Sequence, residues 1–199
     1  MSIFKAIIFV VITISGWSCI SAQLNTQISH FTERDGLSYR WTLDIIQDHK
    51  GFMWFATYDG LNRYDGKNFI TYKHSDADTN SISSSQVYHV VEDSDGYIWT
   101  YGIDQVYNRI DPASGHTIKT NQYFRNDSLI DGATYYMRHF ASLSNGDFVV
   151  LLQGKELGTS SLWKYELTRN AFIHLADIST HGAYVDFFSE HSNGRIWVW

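Results

Sequence analysis

Hydrophobic and polar positions alternate along this chain in short bursts, each closed by a glycine-bearing turn. Residues 87–93 form a β-branched and aromatic run, followed by the turn Ser94-Asp95-Gly96. A second run spans 98–101, and Gly102 to Gln105 turns the chain again. A third run, 106–111, places Val106, Asn108 and Ile110 on one side and Tyr107 and Arg109 on the other. Pro112-Ala113-Ser114-Gly115 then reverses the chain into 116–120. Period-two runs separated by tight turns predict four short antiparallel strands.

The same plan recurs. Runs over 43–48, 54–57, 61–64 and 69–74 are divided by Lys50-Gly51, Asp59-Gly60 and Asp65-Gly66. Asp-Gly marks a hairpin because glycine adopts positive φ freely and aspartate tolerates it. A third copy has Asn145-Gly146 with runs at 148–152, 161–166 and 171–175, and a fourth has 184–188, Asn193-Gly194 and 196–199. A tryptophan three residues beyond the glycine links Gly51 to Trp54, Gly96 to Trp99 and Gly194 to Trp197. Val149 takes that place after Gly146, and the glycines are 45, 50 and 48 residues apart.

Repetition at this period predicts stacked or radial sheets, in which one unit cannot bury its apolar face until a neighbour covers it. Four antiparallel strands per repeat make a propeller blade. The expectation is therefore an all-β fold, an incomplete β-propeller of about three and a half blades. Blade 1 spans about 42–74, blade 2 about 86–121, blade 3 about 133–176, and 183–199 start a fourth. Residues 28–32 read as a leading outer strand with no inner strands before it, which would pair with the last blade of a complete ring and has no partner from its own blade here. Trp54, Trp99 and Trp197 share one register, where a flat ring fills the wedge between blades, and Val149 fills the same space.

Composition narrows the class. The chain is 44% hydrophobic and 16% aromatic, ample for a core. Residues 1–22 read as a signal peptide, with Lys5, an apolar run from Ala6 to Ile14, and small residues ending at Ala22. An uncleaved anchor is the competing reading. The single cysteine, Cys19, lies in that leader, so no disulfide or thiolate chemistry is expected of the remainder. Without Lys5 there are 14 basic and 21 acidic residues, dispersed and with no Lys/Arg run, which disfavours nucleic acid as a partner.

Enzyme motifs are missing: no glycine-rich phosphate loop, His-Glu-x-x-His helix or Gly-x-Ser-x-Gly elbow occurs. No catalytic residue, metal or cofactor is therefore assigned. Asp76, Asp78 and Asn80 have the first spacings of a calcium loop, but Ser81 and Val87 replace its glycine and closing glutamate. Ligand contact is expected where the loops meet the inner strands. Arg40, Trp41, Tyr58, Asp104, Tyr135, Tyr136, His181 and Tyr184 fall there, with Arg40 and Trp41 foremost. Aromatic rings beside Arg and Asp suit sugars, whose C–H faces stack while hydroxyls need directional partners. Packing at blade junctions is the structural alternative for each.

The stretch Asp35-Gly36-Leu37-Ser38, then Ile45-Ile46-Gln47-Asp48-His49-Lys50-Gly51-Phe52-Met53-Trp54 through Asn62-Arg63-Tyr64-Asp65-Gly66, resembles the two-component regulator propeller repeat. Ser81-Ile82-Ser83-Ser84 and Glu92-Asp93-Ser94-Asp95-Gly96-Tyr97-Ile98-Trp99 continue the match. Leu143 and His191 depart from it, standing where Asp48 and Asp93 stand in the first copies. More narrowly, the chain resembles the amino-terminal part of the periplasmic sensor region of a hybrid histidine kinase. The resemblance implies an extracytoplasmic, non-catalytic domain that perceives oligosaccharides, homodimeric in full length and tied to the membrane through a downstream span. A lyase- or glycosidase-type propeller and an interaction scaffold are the alternatives.

Overall fold

A computed structural model describes residues 29–120 and 136–199, apart from positions 155, 157, 167 and 184. Among them are three four-stranded antiparallel sheets and one hairpin. The first sheet holds β1 (Thr42–Gln47), β2 (Met53–Thr57), β3 (Gly60–Tyr64) and β4 (Phe69–Tyr72) in sequential order. The second holds β5 (Val87–Glu92), β6 (Ile98–Gly102), β7 (Tyr107–Ile110) and β8 (Thr117–Lys119). The third holds β9 (Tyr136–Ser142), β10 (Phe148–Gln153), β11 (Thr159–Glu166) and β12 (Ala171–Ser179). The hairpin pairs β13 (Phe188–Glu190) with β14 (Ile196–Val198). These are propeller blades, each a simple meander from an inner to an outer strand.

Glycine is needed at the first turn of every blade. Gly51, Gly96, Gly146 and Gly194 have φ of 89°, 80°, 92° and 77°, in the left-handed region that favours glycine. Each turn closes with the same two backbone bonds, such as Asp48 N to Phe52 O and Gly51 N to Asp48 O, both 2.9 Å. His191 and Gly194 close the fourth turn in this way at 2.8 Å. The turn geometry is thus common to all four copies, whatever residue precedes it.

Between blades lie three apolar layers. Trp54, Ala56 and Leu61 meet Ile82, Val87, Val90, Ile98 and Ile110 at the first junction. At the second, Trp99, Tyr101 and Tyr107 meet Phe140, Phe148, Val150 and Phe172, with Trp99 stacked on Phe148 at 3.9 Å and 12°. Val149, Leu151 and Leu162 meet Val185 and Phe188 at the third. Trp54, Trp99 and Val149 are fully buried. Trp197, at the same register, is 55% exposed.

Two strands differ in extent from the sequence reading. The leading segment, expected to find no partner in its own blade, pairs with no strand over 29–32 among the described residues, and position 28 lies outside them. Thr32 instead caps a 3₁₀ turn over Glu33–Asp35, its backbone N–H donating to Asp35 Oδ2 at 2.8 Å while its hydroxyl oxygen accepts from Arg34 N. A capped turn bends the chain away from ladder geometry. Phe31 then packs edge-on to Phe69 and near Tyr64, on the face of blade 1 turned away from blade 2. Strand β12 continues to Ser179 rather than ending near Leu175, because β11 starts at Thr159 and gives it partners. Strand β13 begins at Phe188, where the 184–188 run was expected to end. The leader reading for 1–22 lies outside the described residues, and Ser29 and His30 are exposed. Among the described residues no helix is long and apolar enough to cross a membrane.

Candidate functional site

Two side-chain locks set the geometry from which any site is built. In blade 1, Asp48 Oδ1 accepts the N–H groups of Lys50 and Phe52 at 3.0 and 2.9 Å, while Oδ2 accepts Trp54 Nε1 at 2.8 Å. Blade 2 repeats this with Asp93, Asp95, Tyr97 and Trp99, the indole bond being 2.7 Å. Arg109, opposite Trp99 on β7, adds a buried ion pair, Nε to Asp93 Oδ2 at 2.9 Å, with its guanidinium 3.5 Å from the Tyr97 ring centroid. Arg63 occupies the matching place in blade 1 over Phe52, but donates to Pro112 O at 2.6 Å. In blade 3, Leu143 and Val149 remove both acid and indole, and Lys164 pairs with Asp147 at 2.5 Å instead.

The second lock fixes the segments leading into β1 and β5. Asn62 Oδ1 accepts Ser38 N at 2.9 Å and its amide donates to Ser38 Oγ at 2.8 Å. Asn108 does the same to Ser83, at 2.9 and 3.0 Å. Leu37 and Ile82, one residue earlier, are buried. Asn62-Arg63 and Asn108-Arg109 recur at the same register of the third strand, a shared signal in the sequence for the asparagine lock.

Held this way, the approach to β1 gathers an aromatic group on one face. Tyr39, Trp41 and Tyr58 lie mutually edge-on at centroid separations of 6.1, 6.2 and 6.0 Å. Tyr58 reaches Tyr88 of blade 2 at 6.3 Å. The Arg40 guanidinium stands 5.6 Å from the Trp41 ring, and Trp41 is 56% exposed. Asp59, beside Tyr58, pairs with Lys73 at 2.6 Å. Edge-to-face neighbours fix the indole plane while leaving a ring face to solvent, which is what stacking on an apolar ligand surface requires.

Of the residues singled out from sequence, Arg40, Trp41 and Tyr58 therefore come together, and Tyr88 joins them. Tyr88 was missed because it stands within a strand run, at the register of Leu43, where packing is the ordinary reading. Asp104 sits in the turn between β6 and β7, where its Oδ1 accepts Val106 N at 3.3 Å. His181 is exposed beyond β12. Among the described residues no ring or ion-pair contact ties either to the aromatic group. Tyr135 and Tyr184 lie outside the described residues; Tyr136 pairs through its backbone with Gln153. Asp76 Oδ1 accepts from His74 Nε2 at 3.0 Å, and Asp78 Oδ1 accepts Asn80 N at 2.9 Å. Among the described residues no group of three or more His, Cys, Asp or Glu could hold a metal.

The comparisons with known proteins bear on this arrangement. No protein-family model matches the chain. Over 84 residues, 42% of its length, it is 39% identical to histidine kinase P4 of Formosa agariphila. The chain spans 6% of that protein. Its fold is similar to the extracellular domain of a protein described as a hybrid two-component system from B. thetaiotaomicron, with a TM-score of 0.54 at 19% identity, covering 79% of this chain and 22% of that one. A second structure of that extracellular domain, described there as a one-component system, gives 0.53 at 20% identity over the same shares. The chain is thus similar in sequence to a histidine kinase and in fold to the extracellular domain of a protein described as a two-component system.

Proposed function

We propose that this chain is a ligand-sensing part of the extracytoplasmic region of a two-component signalling protein, and that it perceives oligosaccharides without acting on them. The observation that carries the reading is Trp41, an exposed indole held by Tyr39 and Tyr58 beside the Arg40 guanidinium. Stacking against the C–H face of a pyranose needs a fixed, open aromatic surface, and neighbouring Arg and Asp groups supply directional bonds to hydroxyls. The sequence likeness to a histidine kinase and the fold likeness to an extracellular domain support the same reading. Folds of this kind host unrelated activities, so the argument stands on the site and not on the blades.

Titration of the purified chain with polysaccharide fragments should give saturable heat. Trp41→Ala should weaken binding about 10-fold, the equivalent of roughly 1.4 kcal/mol, with the unfolding midpoint unchanged. An isotherm indifferent to Trp41→Ala would remove this platform as the contact surface.

A further inference from the structure

Roughly 10 Å along β1 from Trp41, at about 3.3 Å per residue, the inner strands of three blades enclose a second feature. β1, β5 and β9 each carry a register shift near their start, between Thr42 and Asp44, between Val87 and His89, and between Met137 and His139. A bulge re-aims the side chain that follows it. The residues after the three bulges, Asp44, His89 and His139, each stand four positions before the first turn motif of their blade. With Arg138 and Phe140 they line a cavity of about 240 Å³ on the inner side of the blades.

The polar groups in it are unequally committed. Asp44 Oδ1 accepts Ile45 N at 2.9 Å and Oδ2 accepts Val90 N at 3.0 Å, so this carboxylate ties blade 1 to blade 2. His89 Nδ1 stands 3.6 Å from Asp44 Oδ2. His139 stacks on Phe187 at 4.1 Å. Arg138 donates to Gln153 and lies 3.5 Å from Asp186. With both imidazoles neutral, two carboxylates, Asp44 and Asp186, face one guanidinium. With both protonated the balance reverses to three cations against two anions, and the added charges sit on N–H donors.

We propose that this cavity, distinct from the aromatic platform and independent of it, is an acid-favoured binding site for the oxyanion of a small ligand, a carboxylate or sulfate. Burial, and then the charge of His89, hold His139 below the usual imidazole range. An anion seated between the two rings would offset both effects, so binding and protonation should reinforce each other. The volume admits a guest of one sugar unit, so the oxyanion could arrive on an acidic sugar or as a free inorganic ion.

The test uses glucuronate, glucose and inorganic sulfate as probes, titrated into the full chain at pH 5.5 and pH 8 and followed by calorimetry. Glucuronate should bind at pH 5.5 and at least 10-fold more weakly at pH 8, and glucose should give no saturable signal at either. Sulfate binding as well as glucuronate assigns the site to free oxyanions; weaker sulfate binding assigns it to acidic sugars. His89→Gln, at a half-exposed position chosen to spare the fold, should flatten the pH dependence, as should His139→Gln. Trp41→Ala should leave glucuronate binding intact, which separates this site from the platform. No glucuronate or sulfate binding at pH 5.5, or binding indifferent to both His variants, would overturn the proposal.

Discussion

Asp93 shows how much one side chain can organise. Its two oxygens serve two turn amides, the Trp99 indole and the Arg109 guanidinium, and the residue is buried with Trp99 and Arg109. Removing one member of a buried ion pair is costly in a poorly solvating interior, and Arg109 would keep only its longer contact with the exposed Asp95, Nη2 to Oδ2 at 3.3 Å. Asp93→Ala should therefore cost about 3–5 kcal/mol, read as a shift in the urea unfolding midpoint. Asp48→Ala should cost less, about 1–3 kcal/mol, because Arg63 bonds the Pro112 carbonyl rather than Asp48. Equal losses at the two positions would show that the Arg109 pair adds nothing. The blade 3 copy explains why such a network can be dispensed with: Leu143 and Val149 leave no acid and no indole N–H to satisfy, so loss of both together is tolerated where loss of one is not.

At the scale of elements, the approach to the inner strands of blades 1 and 2 depends on an asparagine in the third strand of the same blade. Asn108 is buried and holds Ser83 by two hydrogen bonds, and Ile82 beside it fills the first inter-blade layer. Asn108→Ala should destabilise by about 1–3 kcal/mol, with amide exchange over 81–86 accelerating before the rest of blade 2. Uniform acceleration across the blade would mean that the asparagine supports the sheet rather than the connecting segment. Adjacent blades are also clamped at their first turns. Glu92 accepts His49 N at 2.8 Å, and Glu190 accepts Ser144 N at 2.6 Å and Ser144 Oγ at 2.8 Å. The acid preceding one turn thus grips the residue two positions beyond the corresponding place in the previous blade. In blade 3 Ser142 replaces this acid, and Ser94 Oγ donates instead to Gly146 O at 3.3 Å.

Across the whole molecule, the inner strands couple pH to stability. His139 has a folded pKa held below its unfolded value by burial and by His89. The unfolded chain therefore binds more protons over the interval, and this contribution is fully present above about pH 6.5 and is lost as pH falls through the folded value. Asp44 acts in the same sense at lower pH. Burial alone would raise its pKa, but the bonds from His89, Val90 N–H and Ile45 N–H outweigh it and lower the pKa overall, so its contribution fades only in stronger acid. Stability measured by urea unfolding should fall from pH 7.5 to pH 5.5, and His139→Gln should make that slope shallower. A slope unaltered by His139→Gln would place the titrating group elsewhere.

The blades themselves were legible because their signals are local. Period-two runs, glycines at forced positive φ and Asp-Gly turns all depend on residues a few positions apart, and recurrence at 45 to 50 residues said that one unit stacks on the next. The packing of the leading segment was not legible, because Phe31 meets Tyr64 and Phe69, residues far along the chain that no local pattern ties to it. The aromatic platform was half legible: Arg40, Trp41 and Tyr58 come from loops next to strands, while Tyr88 looked like core. Which hairpins fold, and in what order, was settled by the amino-acid sequence on its own. Tertiary structure alone decided where Asp44, His89 and His139 point, because a bulge depends on the register between strands and not on the identity of any residue in one of them.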